Sequence, residues 1–251
     1  MPVRNAVISR IPILPGGLVN AHLIHGSQGA ILVDAGLPGT ERRIDSALRR
    51  LGLSFRDIKL IVITHAHVDH AGGTAKLRDL TGAPVAAHVA DLPYYRREKA
   101  MTFCPTGWFG RLFLRSGLMY EPYAAFEPDI LLQADEALDL HRFGVDGVVR
   151  HTGGHTAGSL AVELGSRDML VGDLISSGLL LGGIALTDRP KRPPFEDDPA
   201  VVSAVLQRMV LAGGQRFHMG HGGPLDAGDV ERHLRKLSRR GALQESALPL
   251  R

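Results

Sequence analysis

Four apolar residues, Leu60-Ile61-Val62-Ile63, run straight into the segment Thr64-His65-Ala66-His67-Val68-Asp69-His70-Ala71-Gly72-Gly73. A continuous β-branched run of this kind reads as a strand covered on both faces, so the chain must place layers on either side of a sheet. The strand empties into three imidazoles and a carboxylate within six positions. In extended backbone, residues i and i+2 project to the same side, so His65 and His67 can face one cation. If the chain turns helical near Asp69, that carboxylate and His70 swing toward a second. Imidazole nitrogen and carboxylate oxygen suit zinc, with iron or manganese as further choices.

Around this segment the chain alternates strand and helix. Val7 to Ile13, His22 to His25 and Ala30 to Asp34 read as short strands, broken by turns at Pro15-Gly16-Gly17 and Gly26-Ser27. Thr40 is expected to cap a helix that buries Ile44, Ala47, Leu48 and Leu51 and ends at Gly52. Thr74 to Leu80 reads as a short helix closed by Gly82, followed by a strand from Pro84 to Ala87. The strand pattern resumes at Ile130 and continues through Val148-Val149, Leu160 to Leu164 and Met169 to Val171. Asp198 and Pro199 form an N-cap and first-turn pair for a helix burying Val202, Val205, Leu206 and Met209, with Gly213 after it. A last helix is expected from about Asp226 to Arg240. A strand ending in aspartate, then a helix, then a strand leading to histidine occurs at Asp34 to His65 and again at Asp173 to His221, an echo that hints at two similar halves.

Between Leu92 and Pro128 the alternation stops. Tyr94, Tyr95, Phe103, Trp108, Phe109, Phe113, Tyr120 and Tyr123 fall in a stretch with scattered glycine, proline and arginine. So many aromatics do not suit a solvated loop, and the segment reads as a partly helical cap inserted over the site, a subunit interface being the alternative.

Composition excludes several classes. An apolar fraction of 44% with 22% charged residues leaves no disordered majority, and 251 residues fit one domain with a sizeable core. Cys104 is the single cysteine, so the fold is expected to hold without a disulfide in a reducing compartment, with the cytoplasm as the expected location. No apolar stretch approaches the roughly 20 residues of a bilayer span, and Met1 to Arg10 lacks a signal-peptide core, so no membrane partner is expected. A net charge of +3 is small, and Arg232, Arg235, Arg239 and Arg240 read as the solvated face of the last helix rather than a nucleic-acid surface. No Gly-x-Ser-x-Gly turn is present and Cys104 has no Cys/His signature around it, which sets aside serine and cysteine nucleophiles.

The segment from His65 to His70 resembles the His-x-His-x-Asp-His signature of the metallo-β-lactamase superfamily. The resemblance extends to Ile31-Leu32-Val33-Asp34-Ala35-Gly36 and to His151-Thr152-Gly153-Gly154-His155-Thr156-Ala157-Gly158-Ser159, where Gly153 stands at a usual proline. It continues through Val171-Gly172-Asp173 and Gly220-His221-Gly222, covering about Val7 to Pro224. It implies an α/β fold, a four-layer αββα sandwich, as a single domain over residues 1–251 with the cap at about 92–128. It implies that His65, His67 and His155 bind a first metal, that Asp69, His70 and His221 bind a second, and that Asp173 bridges them. Two Zn2+ are the expected cofactors, with iron or manganese possible. Asp34 is expected to orient a ligand rather than to be one, its alternative being a cap for the turn at Leu37. The remaining histidines, His22, His25, His88, His141, His218 and His233, are expected to be structural, and His151 stands out only for adjoining the metal loop.

Such a centre points to hydrolysis, with a metal-bound hydroxide attacking a carboxylic ester or lactone carbonyl and Asp69 passing a proton toward the leaving group. The substrate is expected to be a small molecule, neutral or mildly anionic, met by Arg96, Arg97, Arg111 or Arg115, with Tyr94, Tyr95, Tyr120 or Tyr123 donating to the oxyanion. A homodimer is possible. Histidine at position 67, where redox diiron members carry glutamate, favours hydrolysis. Only Gly222 to Arg251 follow the last ligand, which disfavours a thioesterase of the glyoxalase II type. Three alternatives stand beside the ester reading: a β-lactam hydrolase, which the bridging Asp173 disfavours, a mono-iron persulfide dioxygenase, and a non-catalytic metal-stabilised binding protein.

Overall fold

The computed structural model describes residues 6–26 and 28–246, with 240–246 described by backbone alone. Ser27, half of one expected turn, and the side chain of Arg240 lie outside the described residues. In chain order the elements are β1 (Val7–Leu14), β2 (Val19–Gly26), β3 (Gly29–Val33), α1 (Glu41–Arg50), β4 (Ile58–Val62), α2 (Val68–Ala71), α3 (Thr74–Thr81), β5 (Val85–His88), α4 (Leu92–Tyr95), α5 (Gly107–Leu114) and β6 (Ile130–Leu132). The second half holds β7 (Ala137–Asp139), β8 (Gly147–His151), β9 (Leu160–Leu164), β10 (Asp168–Leu170), β11 (Ser176–Ser177), β12 (Pro190–Lys191), α6 (Pro199–Leu211), β13 (Arg216–His218), β14 (Leu225–Asp226) and α7 (Ala227–Ser246).

Two six-stranded sheets result, ordered β1-β2-β3-β4-β5-β6 and β14-β13-β10-β9-β8-β7, with β11 and β12 as a separate ribbon. The period of two along each strand sorts side chains into three cores. Leu23, Leu32 and Ile61 face outward under Ile44 and Leu48 of α1 and Leu77 of α3. Their neighbours Ile24, Ile31, Leu60 and Val62 face inward and meet Val149, Leu160, Val162 and Leu170 of the second sheet. On that sheet's far side, Ala161, Met169 and Phe217 pack against Val202, Leu206 and Met209 of α6 and Val230 of α7. The layers are therefore helix, sheet, sheet, helix, the αββα arrangement. β4 carries apolar side chains on both faces because both are covered.

The echo in the sequence is topological. β3 and β4 pair in parallel around α1, and β10 and β13 pair in parallel around α6. Each unit delivers an aspartate after its first strand and a histidine after its second, and the ends of these strands meet at one edge of the sandwich. Leu160 N donates to Thr64 O at 2.8 Å, joining the sheets at that edge.

Two expectations about α1 need correcting. Thr40 stands at the N-cap position, but its hydroxyl donates to Ala35 O at 2.7 Å and caps no helix amide, so it ties the helix to the loop after β3. Leu51 is 39% exposed rather than buried, because the helix stops at Arg50 and the left-handed turn at Gly52 carries it off the apolar stripe. By contrast Asp198 caps α6, its Oδ1 accepting from Ala200 N and Val201 N. α7 extends beyond the expected end at Arg240. Truncating Ile31, sealed between the sheets, to alanine is expected to cost about 2–5 kcal/mol in urea unfolding. Leu51→Ala should cost less than about 0.5 kcal/mol.

Candidate metal centre

Val62 ends β4, and the next eight residues carry half of the site. His67 keeps extended backbone (φ −63°, ψ 148°) and α2 begins at Val68, so His65 and His67 project together while Asp69 and His70 leave from the first helical turn. The β8–β9 connection brings His155, the turn after β10 brings Asp173, and the turn after β13 brings His221, each of the last two three residues past its strand. Six of these seven groups are buried, and Asp69 is half-buried.

The seven side chains predicted from the sequence converge. His65 Nε2, His67 Nδ1 and His155 Nε2 form a triangle with sides of 3.1, 3.2 and 3.2 Å. His221 Nε2 lies 3.0 Å from Asp173 Oδ2 and 3.3 Å from Asp69 Oδ2. His70 Nε2 lies 3.4 Å from Asp173 Oδ1 and 3.9 Å from Asp69 Oδ2. Asp173 stands between the two groups, its Oδ2 3.8 Å from His155 Nε2. Three sets, His65/His67/His155, His65/His70/Asp173 and Asp69/His70/His221, each bring their coordinating atoms within 4.8 Å of one another.

The surrounding hydrogen bonds decide which nitrogens face the centre. Asp34 accepts Thr64 N at 2.8 Å, Thr64 Oγ1 at 3.0 Å and His70 Nδ1 at 2.8 Å. His70 Nδ1 therefore carries a proton, and Nε2, turned inward, would present its lone pair to a bound cation. The Thr64 hydroxyl, its proton spent on Asp34, can only accept from His65 Nδ1 at 3.0 Å, so His65 Nε2 is also a lone pair. His221 Nδ1 donates to Leu18 O, with the same consequence. A triangle of imidazole nitrogens, at least one of them a bare lone pair, cannot be satisfied by hydrogen bonds along all three sides. His70 Nε2, Asp69 Oδ1 and Asp173 Oδ1 are buried with no hydrogen-bond partner. Buried polar atoms left in this state are costly unless something binds them. Cations at the centre would satisfy them together, and the donor set of imidazoles and carboxylates is one that divalent zinc, iron or manganese accepts.

Electrostatics divide the centre into imidazoles held neutral, His65, His67 and His155, and two, His70 and His221, that the carboxylates keep protonated until a cation displaces the proton. Burial lowers the pKa of His65 and His67, and the neighbouring imidazoles lower it further; burial likewise brings His155 down to about 4. Burial also acts against charge on His221, but Asp173 and Asp69 outweigh it and raise His221 to about 10, and Asp173, Asp34 and Asp69 raise His70 in the same sense. Burial opposes ionisation of Asp69 and Asp173, yet His70 and His221 hold both below the usual carboxylate range.

Asp34 occupies the orienting position expected of it, at a left-handed φ of 65° after β3, and the alternative of a cap for the Leu37 turn is set aside by its three donors. Gly153 has φ 61°, which a proline ring forbids, so this loop conformation admits no proline there. Gly220 is required by close approach: a Cβ there would lie 2.3 Å from Asp173 Oδ1 and from the His70 ring. Asp91 has no local motif, and the sequence reading missed it. Its buried carboxylate accepts Ala66 N at 3.1 Å, Thr156 Oγ1 at 2.9 Å and Gly158 N at 2.8 Å, fastening the His65–His67 loop to the His155 loop. Burial pushes its pKa up to about 6 against those three donors.

The other candidates fall outside the cluster. His151 stacks on His88 at 3.8 Å and its Nε2 donates to Ala157 O, bracing the loop. His25 pairs with Ser9, His141 with Asp139, and His218 with Asp168, while His22 packs edge-on to His218. Of the tyrosines, Tyr95 is sealed in the outer core and Tyr123 spends its proton on Ala66 O at 3.0 Å, so neither can serve an oxyanion. Arg96 is held by Glu127 and Arg97 by Tyr123 O. Arg111 and Arg115 are exposed on the outer side of α5, away from the centre, because Phe109 and Phe113 take its inner side. Cys104 is exposed, and burial together with Asp197 raises its thiol pKa, the reverse of nucleophilic activation. Within the 92–128 segment, Phe103 lies 4.9 Å from the His67 ring and 4.9 Å from Phe195, giving the centre an aromatic wall.

Asp91→Ala would orphan two buried amides, while the Thr156 hydroxyl keeps Ser159 Oγ as a partner. A loss of about 2 kcal/mol or more is expected in chemical unfolding, at about 1–3 kcal/mol per orphaned group. A loss below about 1 kcal/mol would remove Asp91 from the bracing role.

Comparison with known proteins places the chain. Residues 14–221 match the family model described as the metallo-beta-lactamase superfamily. A hydroxyacylglutathione hydrolase of Albidiferax ferrireducens is 41% identical over 25% of this chain and 22% of its own length. A probable metallo-hydrolase of Bacillus subtilis, YqjP, is 25% identical over 90% of this chain and 74% of its own. The first two curated relatives are matched over only 22% and 24% of their lengths. In three dimensions, a metallo-beta-lactamase family protein from Thermus thermophilus superposes with a TM-score of 0.65 at 24% identity, covering 96% of this chain and 81% of that one. Its likeness is one of fold. With the family model spanning most of both sheets and all seven residues of the cluster, the chain belongs to the metallo-β-lactamase superfamily.

Proposed function

We propose that the chain is a hydrolase of carboxylic esters or lactones working with two divalent cations, zinc first among them. The observation that carries the proposal is the set of buried, inward-facing and unpartnered atoms on His70, Asp69 and Asp173, which the imidazole triangle continues. His65, His67 and His155 would hold one cation, Asp69, His70 and His221 the other, and Asp173 would touch both. When bound, the cations supply Lewis acidity at the substrate oxygen and lower the pKa of a water molecule. Asp34 and Thr64 keep the tautomers of His70 and His65 fixed throughout. Asp69 would orient the attacking water and pass its proton toward the leaving oxygen.

The substrate class follows from the surroundings. Phe103, Phe195 and the His67 ring form an apolar wall, and the segment over residues 92–128 acts as a cap that admits a modestly apolar acyl group. Tyr94 and Tyr120 remain as hydroxyls able to approach an oxyanion, Tyr120 standing edge-on to Phe103. An aspartate bridge at Asp173 weighs against β-lactam amides.

Two metal ions per chain are expected by elemental analysis, with Asp173→Ala lowering both occupancies together; one ion, with iron preferred and oxygen consumed, would replace this reading by a dioxygenase. Asp69→Ala should reduce kcat on a lactone and ester panel by about 10²–10⁴-fold. A panel that also holds acyl-glutathione thioesters, phosphodiesters and β-lactams decides the bond. Turnover of those alone would reject the ester assignment.

A further inference from the structure

α5 is seated on the molecule by its inner side. A Cβ at Gly110 would lie 2.2 Å from Pro194 O, Thr106 N donates to Pro194 O at 2.7 Å, and Phe113 stacks on Phe195. Its outer side is a stripe at i, i+3, i+4 and i+7: Trp108, Arg111, Leu112 and Arg115, all exposed. Trp108 is 68% exposed and Leu112 55%, and Leu118 beyond the helix is 56% exposed. A firmly docked helix that turns its tryptophan and leucine to solvent between two arginines is not filling a core. Neither arginine has an ion-pair partner among the described residues, and from Lys99 to Tyr120 the chain holds three cations and no acid.

A second apolar edge faces the same opening. Trp108 and Phe109 line a cleft of about 400 Å³ with Leu180, Lys191, Arg192 and Lys236. Leu180, 52% exposed, and Ile184, 59% exposed, hold left-handed backbone with φ of 52° and 57°, a conformation bulky residues seldom adopt. The same loop passes over the centre, since a Cβ at Gly182 would lie 2.7 Å from His221 Cβ.

We infer that this face, Trp108, Leu112 and Leu118 with Arg111 and Arg115, docks on an anionic lipid surface. The combination of Trp and Leu with flanking cations on one side of a helix is the chemistry of interfacial binding, where the apolar groups enter the headgroup boundary and the cations meet phosphate. Charge decides against a second copy of the chain. A two-fold contact centred on the stripe would bring Arg111 and Arg115 of both copies together, while of the segment's acids Glu98 and Glu127 are paired with Arg96 and Glu121 lies beyond the helix. No helix of the described residues is long and apolar enough to cross a membrane, and surface docking needs none; the inference departs from the sequence-based expectation of no membrane partner, which rested on the lack of a span and of a signal-peptide core. The inference is independent of the hydrolytic reading, since it is read out by binding.

Trp108 is the chain's single tryptophan, so intrinsic fluorescence reports this face directly. With vesicles of phosphatidylcholine and phosphatidylglycerol in equal amounts, a blue shift of the emission and protection from acrylamide are expected. Phosphatidylcholine alone should give a much smaller effect, and added salt should weaken binding. The double variant Arg111→Gln, Arg115→Gln should lower partitioning about thirtyfold, and Leu112→Ser should weaken it without a change of charge. Thermal melts of both variants at wild-type Tm show that the fold is intact. No shift with anionic vesicles, or binding indifferent to all three substitutions, would overturn the inference. A shift that instead follows protein concentration without lipid, with dimers in sedimentation, would assign the face to a second copy and overturn it equally.

Discussion

The carboxylate of Asp34 organises the centre without facing it. It accepts a backbone amide and a hydroxyl from Thr64 and the Nδ1 proton of His70, and so joins the end of β3, the end of β4 and the helical turn beyond. Through the Thr64 hydroxyl it also sets the tautomer of His65. One buried anion thus determines which nitrogens of two imidazoles are lone pairs. Without it, either ring could turn its proton inward, where Asp173 and Asp69 would hold it.

The same economy appears on the other side of the site. Asp91 fastens the first histidine loop to the His155 loop through three donors, so the triangle of imidazoles is held from behind by a group that touches none of them. The two braces differ in character. Asp34 touches His70 directly and reaches His65 through Thr64, whereas Asp91 holds two backbone amides and the Thr156 hydroxyl and no imidazole.

How much of this was legible in the sequence depended on locality. The strand entering His65 to His70 was readable because a buried strand and a helix start each have short-range signatures, and the three-layered core follows from alternation that β2, β3 and β4 carry openly. Asp34 was readable in role, since a carboxylate ending a strand in this family pattern has few alternatives. Asp91 was not: an aspartate after a strand has no distinctive neighbours, and its three partners lie 25, 65 and 67 residues away. The choice among the four tyrosines had to wait for the structure, because burial removes Tyr95 and a single carbonyl engages Tyr123. Thr40 misled for the opposite reason. Its type and position fit a helix cap, but the carbonyl of Ala35 lies closer to hand.

The seven side chains come from different sheets. His65, His67, Asp69 and His70 leave the first, while His155, Asp173 and His221 leave the second, and the triangle of nitrogens takes two members from one and one from the other. Ions seated here would act as rivets through the seam of the sandwich. Their binding free energy would add to the cohesion of the two halves, in proportion to RT ln(1 + [L]/Kd). Separation of the sheets and loss of the ions would then be a single event, with resistance to opening set by the supply of free metal as much as by the apolar layer between the sheets.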